Sequence, residues 1–223
     1  MKLKFIHILI CSISMLYFSS CNSDSSDKSQ KEENNDKKEI KDRKEKEEKE
    51  NDEVTYKIKD DDNDLYAEIS ISDQSIKITN DKKKYKSELK KDKRKYFEKS
   101  GNTLYLVKLG DENKIKLCDE GGKLLYNIKI YKDKIKVSDN EEGNNPSQIK
   151  IYEDKVKIKD DQEAEIGSVK LDKDKTKIIV KSKSKSYTIN NKELFGAYGV
   201  LAIPQIPKME KLIILAELLM LEK

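Results

Sequence analysis

The stretch Ile128-Lys129-Ile130-Tyr131-Lys132-Asp133-Lys134-Ile135-Lys136-Val137 decides the fold class. Apolar residues recur at every second position on both sides of Lys132-Asp133, the pattern of strands with one dry face. With Lys132-Asp133 as a two-residue turn, Ile130 faces Ile135 and Ile128 faces Val137. Each apolar side chain then meets another across the hairpin.

The same arithmetic recurs in both directions along the chain. Around Asp73-Gln74, Ile71 faces Ile76 and Ile69 faces Ile78. A longer loop, Gly110 to Lys114, pairs Leu109 with Ile115 and Val107 with Leu117. Around Glu153-Asp154, Ile151 faces Val156 and Ile149 faces Ile158; around Lys173-Asp174, Leu171 faces Thr176 and Val169 faces Ile178. The hairpin starts at 128, 149 and 169 imply an internal repeat of about 20 residues. One hairpin is marginal in water, so tandem copies must pair side by side and share one apolar face. The opposite face carries lysines and stays wet.

Past the last hairpin, Phe195 to Leu221 is the most apolar stretch outside the leader. Gly196, Gly199, Pro204 and Pro207 interrupt its first half, and Pro207 suits the first turn of a helix. From Met209 to Leu221 the charged residues are Glu210, Lys211 and Glu217, too short a run for a membrane span and apolar nearly all round. The expected fold is mainly β: an antiparallel meander of tandem hairpins curled into a roll or sandwich, with an apolar C-terminal helix over 207–222 packed on its dry face.

The N-terminal part reads differently. Lys2 and Lys4 precede a mostly apolar run from Phe5 to Phe18, and Ser19-Ser20-Cys21 follows. Charge, apolar stretch and small residues are the three parts of a secretory signal peptide. Phe18-Ser19-Ser20-Cys21 resembles the lipobox of bacterial lipoproteins, with Phe18 where that family usually has Leu or another aliphatic. The resemblance implies a diacylglyceryl group on the Cys21 thiol and cleavage before it. Two or three acyl chains hold a protein at a membrane, where one short chain binds reversibly. Asn22 rather than Asp follows the cysteine, so one inner-membrane retention cue is absent; the expected address is the outer membrane or cell surface.

From Lys31 to Glu53 only Asn34, Asn35, Ile40 and Asn51 are uncharged. Such a segment has almost no apolar surface to offset chain entropy and reads as a solvated tether. Counted from Asn22 it spans roughly 30 Å as a coil and roughly 105 Å extended. The expected organisation is therefore a leader over 1–20, a lipidated cysteine with its tether over 21–53, and a β-rich repeat domain over 54–223. In outline, the whole resembles lysine- and glutamate-rich, sheet-dominated surface lipoproteins.

Composition narrows the chemistry. Charged residues make up 40% of the chain and hydrophobic ones 35%, with the apolar residues concentrated in the second half. The single histidine, His7, lies in the leader, so a processed chain has no Ser-His-Asp or Cys-His pair and no imidazole metal ligand. Of the three cysteines, Cys11 is in the leader and Cys21 carries the anchor, which leaves Cys118 without an intramolecular partner; it reads as a small hydrophobe beside a strand. No cofactor, catalytic residue or metal ligand is expected. Asp60-Asp61-Asp62-Asn63-Asp64 begins like a calcium loop, but Leu65 stands where Gly is needed and Ile71 where the bidentate Glu belongs, so it reads as an acidic turn.

The densest charge lies between Lys82 and Lys99, with ten basic and three acidic residues and with Tyr85, Tyr96 and Phe97 interleaved. Lys90, Lys91, Lys93, Arg94 and Lys95 are the candidate ligands for an anionic envelope or host polymer. The plainer reading is a solvated element with its aromatics inward. The expected function is a non-enzymatic binding or scaffolding role at the membrane, without a nucleic-acid partner. The alternatives are a binder of anionic polymers or glycans through 82–99 and an enzyme run by carboxylates.

Overall fold

The computed structural model describes residues 53–222, apart from 112. The expected leader, Cys21 and nearly all of the expected tether lie outside the described residues. Fourteen antiparallel strands follow one another: β1 (Val54–Lys59), β2 (Leu65–Ile71), β3 (Ile76–Asn80), β4 (Lys83–Lys90), β5 (Lys93–Glu98), β6 (Thr103–Leu109), β7 (Lys114–Asp119), β8 (Leu124–Tyr131), β9 (Lys134–Ser138), β10 (Ser147–Ile151), β11 (Val156–Lys159), β12 (Glu165–Leu171), β13 (Ile178–Ser182) and β14 (Ser186–Ile189). A 3₁₀ segment (Gly196–Ala202) and one α-helix, α1 (Lys208–Leu221), complete the chain.

Each strand pairs with its sequence neighbours, and β1 meets β14 at Ile58↔Ile189 and Lys59↔Thr188, so the meander closes into a barrel. The expected antiparallel meander with its C-terminal helix is present, and its curl is, more specifically than a roll or sandwich, a closed cylinder. Closure removes the two unpaired edges that an open sheet would present to other chains. The turns after odd-numbered strands form one end, here the upper rim; those after even-numbered strands form the lower rim.

Register follows the sequence at four of the five hairpins read above. Ile130↔Ile135, Ile151↔Val156, Ile71↔Ile76 and Leu109↔Ile115 all pair as expected. The fifth differs: Leu171 pairs with Ile178 and Val169 with Val180, two residues beyond the expected partners. Asp172 causes the shift, because its Oδ1 accepts the amides of Thr176 (2.7 Å) and Lys177 (3.2 Å) and holds 172–177 as a longer loop. A shift of two leaves the inward parity unchanged.

The upper rim repeats one turn. At Asp60–Asp64, Asp119–Lys123 and Asp160–Ala164 the aspartate Oδ1 accepts the amide four residues on, at 3.0, 2.9 and 2.8 Å. The fourth residue of each has positive φ: Asn63, Gly122 and Glu163. A bulge sits beside each turn, at Ile58/Lys59, Leu117/Cys118 and Ile158/Lys159. Bulges raise local twist, which helps a sheet to close. Asp60 thus serves as a turn cap, and among the described residues no carboxylate group is arranged to hold a metal.

The barrel is filled by its own C-terminus. Inward residues such as Ile58, Ile69, Ile128, Ile149, Ile158 and Ile178 are fully buried. So are Tyr198, Val200, Leu212, Ile213, Leu215 and Ala216, on every face of the two helical segments. A helix apolar all round needs a surrounding wall, not a flat sheet. The expected helix packed on a dry face is therefore a plug inside the cylinder. Pro207 stands just before it as the N-cap, in extended conformation, not inside the first turn. No described helix is long and apolar enough to cross a membrane.

Candidate functional site

The segment 82–99 forms the β4–β5 hairpin, and strand alternation divides its charges. Lys90, Lys91, Lys93 and Lys95 are exposed around the lower-rim turn, where Lys90 pairs with Lys93. Arg94 points the other way and is 1% exposed, so it leaves the candidate anion-binding group. Two apart from it, Tyr96 also faces inward and is fully buried, and Tyr85 on β4 is nearly so. The structure therefore brings four of the five candidates together on the surface and assigns the fifth to the core.

Inside, Arg94 and Tyr96 meet Glu217 on α1. Arg94 Nε lies 3.0 Å from Glu217 Oε1, and the Tyr96 hydroxyl donates to the same oxygen at 2.8 Å. Arg94 Nη1 donates to the Gln74 carbonyl at 2.9 Å. Burial pushes the Glu217 carboxyl above the usual carboxylate range, while Arg94 and Tyr96 pull it back. A second link joins Tyr105 on β6 to Glu210 (3.2 Å); burial and that carboxylate push the phenol up to about 12. Both contacts position the plug against β5 and β6. The sequence signal for them is Glu210 and Glu217, the two acids of a largely apolar helix.

Among the described residues, concavities open at both ends. The upper one, about 360 Å³, is lined by Tyr126, Ser138, Asn140 and Gln205 and has Asp139 and Asp161 at its mouth, over a floor of Ile203 and Ile206. Both aspartates are exposed. The lower one, about 350 Å³, lies among Tyr56, Asn191, Phe195 and Glu222. Burial pushes the Glu222 carboxyl up to about 7 against the pull of the Gly196 and Ala197 amides that donate to it. The residue as a whole is exposed; its carboxyl end is the part tucked against those amides.

Cys118 lies in β7 opposite Leu106 and Leu124, 1% exposed, with its thiol pushed up by burial. It is a packing residue, not a nucleophile.

Comparison with family models, curated proteins and solved structures finds no match to this chain.

Proposed function

We propose that this chain is a bacterial envelope lipoprotein, acylated at Cys21, whose barrel is a non-enzymatic binding or scaffolding module displayed at the outer membrane or cell surface. The observation that supports the module reading most is the filled interior. Helix α1 and the 3₁₀ segment occupy the space where a ligand-carrying barrel would keep a chamber. What such a barrel offers a partner is its outer wall, and that wall is lined with lysines. Its polarity is the reverse of a membrane-spanning barrel, which turns apolar residues outward.

The anchor rests on the leader and on Ser19-Ser20-Cys21. Metabolic labelling with an alkyne fatty acid, followed by detergent phase partitioning and protease shaving of intact cells, tests both anchor and address. Label in the wild-type chain and none in Cys21→Ala is the expected result. An unlabelled chain in the aqueous phase would end the anchored reading.

One observation favours the second reading, an enzyme run by carboxylates: Asp139 and Asp161 share the upper concavity. Hydrolysis of envelope glycans that is abolished by Asp139→Asn and by Asp161→Asn would establish it.

A further inference from the structure

Strands β6 to β11 carry nine lysines and a single carboxylate, Asp119, at the last position of β7. Strand pairing sets eight of these lysines, together with Lys93 of β5, directly opposite one another; Lys159 faces Gln148 and Glu165 instead. Lys93 pairs with Lys108 and Lys108 with Lys116. Lys114 pairs with Lys129 and Lys129 with Lys136. Lys134 pairs with Lys150 and Lys150 with Lys157. The three rows connect, because Lys116 and Lys114 are two apart on β7 and Lys136 and Lys134 are two apart on β9. The result is a continuous staircase of nine ammonium groups climbing across seven adjacent strands.

Like charges directly opposite on a sheet are destabilising. Here that juxtaposition is repeated six times, and the acids that answer it lie in turns or, for Glu165, at the first position of β12. Glu141, Glu163 and Glu165 reach Lys116, Lys150 and Lys157. Among the described residues, Lys93, Lys108, Lys114, Lys129, Lys134 and Lys136 have no carboxylate within ion-pair distance. Two tyrosines flank the lower part of the staircase and are exposed: Tyr131, 44%, and Tyr152, 45%. Lys134 and Lys136 lie 5.5 and 6.0 Å from the Tyr131 ring centre. A groove of about 350 Å³ runs between Lys134, Lys136, Lys150 and Tyr152, with Asp133 and Glu163 also in its lining.

We infer that this staircase binds an extended acidic glycan, a chain of sugars bearing carboxylate, sulfate or phosphate groups. The inference rests on the reading of the barrel as a binding module and gives that module its ligand class. Cross-strand steps are about 5 Å and steps along a strand about 7 Å, so the path is on the order of 40 Å long. A small anion would need a compact cluster, not a line. A flat bilayer touches a narrow strip of a cylinder, whereas these strands make up half of the fourteen in the wall. A flexible chain can follow the curve. The exposed tyrosine rings supply apolar faces on which sugar rings can rest.

The test uses the full chain in detergent and a heparin dodecasaccharide as probe. Lys114→Gln, Lys129→Gln and Lys136→Gln together should weaken binding at least tenfold and flatten its salt dependence. Lys57→Gln, Lys84→Gln and Lys170→Gln remove the same charge from other parts of the wall and should cost less than twofold. Unchanged thermal melting shows that both triple variants are folded. Equal losses in the two sets would overturn the staircase while leaving a binding module in place. Disaccharide binding as tight as dodecasaccharide binding would also overturn it. So would tighter binding of phosphatidylglycerol vesicles or of single-stranded DNA of equal charge. No retention of any anionic probe would remove both the staircase and the anion-binding form of the module.

Discussion

Arg94 Nε stands 3.0 Å from Glu217 Oε1, and each side chain is 2% exposed. One residue belongs to the wall and the other to the plug, so this contact fixes where α1 sits along the barrel. The Nε–H is not aligned for a full hydrogen bond. Its attraction is ionic, supported by the Tyr96 hydroxyl on the carboxylate and by Gln74 on the guanidinium. Removing two ions from water costs several kcal/mol each, and their attraction repays this only when the geometry is good. Glu217→Ala should therefore destabilise the barrel by about 3–5 kcal/mol in urea unfolding, since it strands a buried cation. Arg94→Met with Glu217→Leu should recover most of that loss. A double variant as unstable as the single one would mean that the pair itself, and not the orphaned charge, carries the energy.

This pair also shows where sequence reading stops. Parity in the β4–β5 hairpin places Arg94 on the same face as Tyr96, and the aromatics were expected inward. Composition nevertheless groups Arg94 with its lysine neighbours, because it counts charge without regard to alternation. The hairpin registers were legible because each isoleucine has one partner that keeps it dry. Barrel closure was not legible, since it depends on twist and bulges summed over fourteen strands. The acidic turns gave a missed cue: Asp60, Asp119 and Asp160 fall at intervals close to multiples of 20 and mark one rim. The plug followed the same logic. An all-round apolar helix was visible at 209–221, but what surrounds it depends on whether the sheet closes.

The 3₁₀ segment approaches the wall closely enough to demand glycine. A Cβ on Gly167 would lie 2.6 Å from both the Ala202 Cβ and the Lys181 carbonyl oxygen. Neither can swing away. On Gly196 the nearest atom would be the Ile151 Cδ1, at the flexible end of its side chain. Overpacking a tight site costs about 1–3 kcal/mol. Gly167→Ala should therefore lower the melting temperature clearly more than Gly196→Ala. The reverse order would show that the plug moves more easily than the wall side chains.

Stability should depend on pH through Glu222. Its folded-state carboxyl is raised to about 7 from an ordinary 4.5. A raised acid holds its proton more tightly when folded, so its contribution is fully present below about pH 4.5 and is lost as pH rises through about 7. The melting temperature should fall across that window in the wild-type chain. Glu217 shifts in the same direction, so part of the slope belongs to it. The share due to Glu222 should vanish in Glu222→Gln. An identical slope in that variant would place the titrating group elsewhere.

The seam of the barrel gives the last prediction. Thirteen strand pairs join neighbours in sequence, but β1 and β14 meet from opposite ends of the meander and share two residue pairs. Asp61, in the turn after β1, strengthens this short contact: both of its carboxylate oxygens accept the Ser186 amide at 3.0 Å. A charge-assisted hydrogen bond of this kind, partly solvated, is worth about 1 kcal/mol. Asp61→Ala should cost about that much globally and act mainly on local opening. Hydrogen exchange should speed up severalfold at Tyr187, Thr188 and Ile189, while amides of β7 and β8, remote from the seam, keep their protection. Uniform acceleration around the whole wall would mean that the cylinder opens only by unfolding, with no weaker line at its closure.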